Sequence, residues 1–332
     1  MIMNSSSFRE VLNTFVDPET PIAVDRQDAV FQVNGNLISL KVTAIDGEIK
    51  VSEDGIQFMD AKLWIIKRLA NIFLLANRLK DLIPSSKYFV YPSGRYEPLL
   101  SIGADYSHVE TDDVMRTVRE AIESRSPLQT SIYYLTSDAG EGKTTVINQL
   151  AHEQAVRYAK GDASWLLVPI PLGGRQFMRF DDITVGALSN RYRFPNLHFR
   201  SFLELVKMGV LVPAYDGFEE MFYENTSGEA LSAMGVLLES MQSQGVAIIA
   251  ARKAYYDFEN MGAQERLSES IHNVDVGFGK IQINRWERKQ FVEYCEKRGL
   301  PGSAGIYSEI VNILGPGHAL ITRAVLAKRI LM

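Results

Sequence analysis

The chain has 332 residues, 46% of them hydrophobic and 23% charged, a balance that suits a globular protein with a large buried core and argues against extended disorder. Its formal net charge of −5 supplies no overall basic field for a nucleic-acid backbone, so nucleic acid is left open as a partner but is not indicated. The single cysteine, Cys295, excludes an internal disulfide and a cysteine-built metal site. No apolar run approaches the about 20 residues of a membrane span. The start, MIMNSSSFRE, has no apolar targeting segment after basic residues, so a cytoplasmic protein without membrane contact is expected.

Taken in order, residues 29–52 alternate apolar and polar side chains and are punctuated by Asn34-Gly35 and Asp46-Gly47. Such pairs tolerate positive φ and mark tight hairpins, so a β-meander is expected. From Met59 to Ile83 the period becomes that of one long amphipathic helix, with Leu63, Ile66, Leu69, Ala70, Phe73 and Leu79 on its apolar face. Lys62, Lys67, Arg68, Arg78 and Lys80 lie within it, which speaks against a membrane role. Pro84 stops the helix; Tyr88–Tyr91 reads as a short strand and Gly94–Glu110 as a connecting segment. Thr111, with Asp112 and Asp113 behind it, reads as the cap of a helix through Ile122. Residues 1–107 are therefore expected to form a smaller N-terminal α+β domain with its own fold.

The stretch SIYYLTSDAGEGKTTVINQL, residues 131–150, reads as strand, loop and helix start in unbroken succession. Ile132–Leu135 is apolar and β-prone, Ser137–Gly142 cannot sustain regular structure, and Thr144 opens a helical period through Val146, Ile147 and Leu150. That context fits the phosphate-binding pattern G-x-x-x-x-G-K-[ST], with Ser137 in the place of the first glycine. Gly140 and Gly142 let the backbone curl, so that the loop Asp138, Ala139, Gly140, Glu141, Gly142, Lys143, Thr144 and Thr145 can turn its N–H groups to a nucleotide. The helix N-terminus adds partial positive charge. Lys143 is expected to bridge the β- and γ-phosphates, and the Thr144 hydroxyl to ligate Mg²⁺.

Beyond the loop, strand and helix periods alternate, as in a parallel sheet with crossover helices. Strands are expected at Trp165–Leu172, Val210–Tyr215, Val246–Ala251 and Lys280–Ile283, and helices at Asp182–Tyr192, Phe199–Met208 and Glu229–Gln244. Counting the strand before the loop makes five. The expected fold class is α/β: a P-loop NTPase core over residues 108–284 with a five-stranded, mainly parallel sheet. A helical lid follows over residues 285–332, with helices at Glu287–Arg298, Ser308–Leu314 and His318–Ile330.

Triphosphate hydrolysis needs an acid for the metal and an acid for the attacking water. LVPAYDGFEE supplies both: Asp216, at a strand's carboxyl end, is the candidate metal ligand beside Thr144. Glu219 and Glu220 both stand within a turn of it as candidates for the water. Arg252 ends the next strand, VAIIAAR, where a cation can meet the terminal phosphate.

Together, SDAGEGKTT, the helix FLELVKMG running into VLVPAYDGFEEM, and VAIIAARKA resemble the NACHT-like branch of the STAND nucleotidases, P-loop switch ATPases of innate immunity and antiphage defence. The resemblance spans roughly Thr111 to Met332. It implies Glu219, in the place of the family's aspartate, as the acid acting on water, and it implies Arg252 as the arginine after the sensor strand. Gly315-Pro316-Gly317-His318 stands where the family carries the small-residue and proline motif of its lid. An ATP- and Mg²⁺-dependent switch follows, with homo-oligomerisation and a protein partner or effector chain. GTP is left open beside ATP. An AAA+-like remodelling ATPase and a nucleotide-stabilised scaffold are the alternatives.

Overall fold

A computed structural model describes the chain except for residues 1–4, 26–27, 84, 101–107, 174–178, 196, 219–226, 254–273 and 332. After helix α1 (Ser5–Asn13), a five-stranded antiparallel sheet follows in sequence order: β1 (Ala23–Asp25), β2 (Asp28–Val33), β3 (Asn36–Ile45), β4 (Glu48–Glu53) and β5 (Met59–Asp60). Both expected hairpin turns form, with φ of 51° and 75° at Asn34 and Gly35 and of 53° and 79° at Asp46 and Gly47. That doubly left-handed turn matches the twist of the strands it joins. Phe31, Val33, Ile38, Leu40, Ile49 and Val51 turn inward.

The long helix expected over residues 59–83 is broken in two. Helix α2 (Ala61–Trp64) runs into a π-turn, Ile65–Leu69, whose end is closed by the Ala70 N–H bonded to Ile65 O at 2.8 Å. Helix α3 (Ile72–Leu82) restarts after Asn71, which sits left-handed at φ 46° and accepts the Leu74 N–H on its side chain. The π-turn and the break shift the register of the apolar face. Trp64, Ile65, Leu75 and Ala76 are buried, whereas the expected face residues Leu63 and Phe73 are 40% and 56% exposed.

The second sheet has seven strands and is largely parallel. It comprises β6 (Gly94–Leu100), β7 (Val109–Thr111), β8 (Thr130–Ser137), β9 (Leu166–Pro171), β10 (Leu211–Asp216), β11 (Val246–Arg252) and β12 (Val276–Ile283), in the spatial order β7-β6-β12-β8-β11-β10-β9. The five expected strands are its parallel part; β6 and β7 extend it antiparallel beyond β12. Gly94–Glu110 is thus no mere connector, and the expected boundary at residue 107 lies beyond a strand of the core sheet. Tyr88–Tyr91 is not a strand. Helix α4 (Val114–Glu123) is capped by Asp113, which accepts the Arg116 N–H at 3.0 Å, and not by Thr111, which ends β7.

Helices α5 (Lys143–Lys160), α6 (Phe180–Gly186), α7 (Phe199–Lys207) and α8 (Ser227–Met241) cross between the parallel strands. Helix α3 packs on α5, where the Ser86 N–H donates to Gln149 Oε1 at 2.9 Å and His152 Nδ1 meets Ile83 O at 2.6 Å. One buried cluster accordingly runs from Phe8 in α1 through Trp64 and Leu79 to Trp165 and Ile283. A second gathers Val90, Trp286, Phe291, Tyr294, Cys295 and Ile321 under the C-terminal helices α9 (Arg288–Lys297), α10 (Ser303–Leu314), α11 (Ala319–Thr322) and α12 (Ala324–Ile330). Among the described residues no helix is long and apolar enough to cross a membrane.

Candidate nucleotide-binding site

Strand β8 is buried along its whole length and delivers the chain to a loop at its carboxyl end. Gly140 at φ 82° and Gly142 at φ 105° hold the left-handed backbone that the turn requires. Gly142 is also the residue before α5, and no side chain caps that helix. The first turn of this eighteen-residue helix lies at the positive end of its dipole. This strand, loop and helix N-terminus, on the central strand of a mainly parallel sheet, make a P-loop NTPase fold.

Ser137, in the first glycine position, is 1% exposed and uses its hydroxyl locally, donating to Asp138 O at 3.0 Å. Lys143 Nζ lies back over the loop, 3.2 Å from Ser137 O and 3.3 Å from Ser137 Oγ. Thr144 Oγ1 donates to Asp216 Oδ2 at 2.6 Å, joining the start of α5 to the end of β10. The two elements meet because only β11 separates β8 from β10, and parallel strands bring their carboxyl ends to one edge. Behind Asp216, Tyr215 is fully buried, its hydroxyl 3.2 Å from Thr184 Oγ1 and its phenol pushed above the ordinary value by burial. Pro213, awkward in a strand interior, stands immediately before the stretch that β10 pairs with β11.

Thr144 and Asp216 together form a hard oxygen donor pair of the kind that suits Mg²⁺ with retained waters. Among the described residues no group of three or more His, Cys, Asp or Glu side chains is placed to hold a metal ion. Arg252 ends β11 exposed and in register with Ser137, which brings its backbone to the phosphate loop's own strand end. Glu219 and Glu220 lie outside the described residues. Ala139 sits exposed in the loop and Thr145 half-buried in the first turn of α5.

One contact within the loop and two neighbours of it were not legible in the sequence. The Glu141 carboxylate, with its side chain 4% exposed, turns beneath the loop and accepts the Asp138 N–H at 2.7 Å. Arg285, two residues past β12, donates from Nε to Glu141 Oε1 at 3.1 Å and from Nη2 to Asp138 Oδ2 at 2.9 Å. Its guanidinium is held above the ordinary value by Asp138 first and then by Glu141. From the C-terminal helices the Val325 N–H donates to Gly140 O at 3.1 Å, and Arg323 approaches the same glycine. Nothing in the spacing marks Arg285; its place follows from β12 lying beside β8, a neighbour relation of strands 139 positions apart at their ends, Ser137 and Val276.

No family model matches the sequence, and no curated protein matches it. Among solved structures the chain is similar to the Aeropyrum pernix ORC1 protein in complex with DNA, at 16% identity and a TM-score of 0.39 over 64% of this chain and 56% of that one. It is similar to the Aeropyrum pernix ORC2 protein in ADPNP–ADP complexes at 11% identity and a TM-score of 0.37, over 65% of this chain and 66% of that one. It is similar also to Cdc6p from Pyrobaculum aerophilum, at 14% identity and a TM-score of 0.34 over 55% and 47%. The chain spans roughly half to two thirds of the length of these structures, 47% to 66%.

Proposed function

We propose that the chain is a Mg²⁺-dependent nucleoside triphosphatase with ATP as substrate. The observation that carries this reading is the 2.6 Å hydrogen bond between Thr144, in the first turn of the phosphate-loop helix, and Asp216, at the end of an adjacent-but-one strand. A turn that merely joined strand to helix would have no reason to meet an acid there.

The roles divide by position. The loop backbone and the start of α5 hold the β-phosphate through N–H donors, and Lys143 swings from Ser137 to the β- and γ-oxygens. Thr144 and Asp216 would hold Mg²⁺, which when bound neutralises phosphate charge and orients the terminal phosphoryl group. Glu219 orients or deprotonates the attacking water, with Glu220 as the neighbouring acid, and Arg252 stabilises charge at the γ-phosphate.

For the finer class, an AAA+-like ATPase is the better supported reading beside the STAND-type switch in defence. The C-terminal helices approach the loop through Arg323 and Val325 at the start of α12, whereas Gly315-Pro316-Gly317-His318, in the place of the STAND lid motif, lies before α11. His318 instead caps α11, its Nδ1 accepting the Leu320 N–H at 3.3 Å. Continuous turnover stimulated by a polymer would support the AAA+-like reading, and slow, trigger-dependent turnover with oligomer formation would support the switch.

Lys143→Ala tests the site. It removes a charge-assisted contact worth roughly 2–3 kcal/mol, or about 30- to 150-fold in affinity for ATP or GTP by calorimetry. Wild-type affinity in that variant would refute the site.

A further inference from the structure

A phosphate loop must receive three or four negative charges, and any carboxylate of its own nearby adds repulsion. This one carries two: Asp138 and Glu141 flank Gly140, and the Glu141 carboxylate is buried under the loop. Left alone, a buried carboxylate there would repel the nucleotide and be costly in itself. A single guanidinium answers both, with Arg285 bonded to Glu141 at 3.1 Å and to Asp138 at 2.9 Å. Arg285 does not belong to the loop or to α5. It stands on the short link between β12 and α9, the segment on which the whole C-terminal helical unit hangs. The same unit makes a second tie from the Val325 N–H to Gly140 O.

We propose that Arg285 is a positioning residue that couples the C-terminal helical unit to the phosphate loop, supplying the counter-charge that lets a loop containing Asp138 and Glu141 retain a nucleoside di- or triphosphate. When the helical unit swings, the guanidinium leaves, two carboxylates are uncovered beside the phosphates, and nucleotide is released. The proposal rests on the nucleotide-binding reading above. Glu141 also serves the loop directly, since its other oxygen holds the Asp138 N–H at 2.7 Å. Arg285 itself is 49% exposed at its side chain, so its removal leaves no cavity and should spare the fold.

The test uses the full chain with a fluorescent ADP analogue and stopped-flow displacement, on wild type, Arg285→Ala, Arg285→Lys and the double variant Arg285→Ala with Glu141→Gln. Arg285→Ala should release nucleotide faster by on the order of 10-fold, between the scale of an exposed ion pair and that of a fully buried one. Arg285→Lys should recover part of that loss. The double variant should release more slowly than Arg285→Ala, because it removes the uncovered charge without restoring any contact. Release from Arg285→Ala within twofold of wild type overturns the proposal, and so does a double variant no slower than the single, since loop disruption alone would then account for the effect. Amide exchange at Asp138 in nucleotide-free protein is the independent arm. Faster exchange in Arg285→Ala supports the coupling, and unchanged exchange overturns it. Should wild type bind no nucleotide at all, the nucleotide reading fails on that measurement, while the exchange arm still judges the tie between helical unit and loop.

Discussion

Glu219 stands three positions after Asp216 in the sequence, yet substitutions of the two should differ in kind. Asp216 already holds the Thr144 hydroxyl at 2.6 Å, so Asp216→Asn alters the hard oxygen pair assigned to Mg²⁺. Its effect should appear in the metal: a higher Mg²⁺ requirement for tight ATP binding, with Mg²⁺-free ADP binding left within about twofold. Glu219→Gln keeps shape and removes the charge assigned to the attacking water. It should leave ATP binding with Mg²⁺ nearly intact and lower phosphate release by on the order of 10²-fold or more. The same loss in Glu220→Gln, with Glu219→Gln unaffected, would transfer the role to Glu220. If neither variant slows phosphate release, the stretch LVPAYDGFEE is not the catalytic strand end. A Mg²⁺ dependence unchanged in Asp216→Asn would separately remove Asp216 from the metal site.

At the scale of elements, β6 offers the sharpest test of the sheet. Gly94 begins it, opposite Ile283 of β12. A Cβ built there would collide with the Gln282 carbonyl and a Val114 methyl, so strand and α4 close in from two sides. Gly94→Ala should therefore destabilise the protein by about 1–3 kcal/mol in urea unfolding, whereas a glycine in an open linker would tolerate alanine freely. A change below about 0.5 kcal/mol would remove β6 from the core sheet. The same strand shows where sequence reading stopped. The phosphate loop was legible because its chemistry is local: two glycines, a lysine and a threonine must follow a buried strand within a few positions. The meander was legible for the same reason, from Asn34-Gly35 and Asp46-Gly47. Strand β6 was not, because GRYEPLL mixes arginine, glutamate and proline, and its longer pairing is with β12, some 180 positions later. The break at Asn71 escaped because leucine and isoleucine continue on both sides and mask a π-turn that only tertiary packing selects. Arg285 escaped likewise, its partners being set by which strands are neighbours.

At the scale of the molecule, the question is where cooperative units begin and end, and the three tryptophans are placed to answer it. Trp64 lies in α2, Trp165 just before β9 and Trp286 at the root of the helical unit, each at most 5% exposed. Trp64 and Trp165 share the large buried cluster, which α3 carries from the meander onto α5, while Trp286 belongs to the second cluster. We therefore expect residues up to about 83 to unfold with the NTPase core and not as the separate domain suggested by a division at residue 107. Variants keeping one tryptophan each, the other two replaced by phenylalanine, can be unfolded in urea with fluorescence and far-ultraviolet circular dichroism read together. In the Trp64 and Trp165 variants fluorescence should track the main loss of helix and sheet. In the Trp286 variant it should change at lower urea, because a unit of four short helices has too small a core to hold alone. Addition of ADP with Mg²⁺ should raise the Trp286 midpoint more than the others, since bound nucleotide stabilises the loop to which Arg285 and Val325 tie that unit. A Trp64 transition clearly separate from that of Trp165 would restore an independent N-terminal domain. A Trp286 midpoint already coincident with the core before nucleotide is added would mean that the helical unit is a fixed part of the core and has no separate equilibrium for nucleotide to bias.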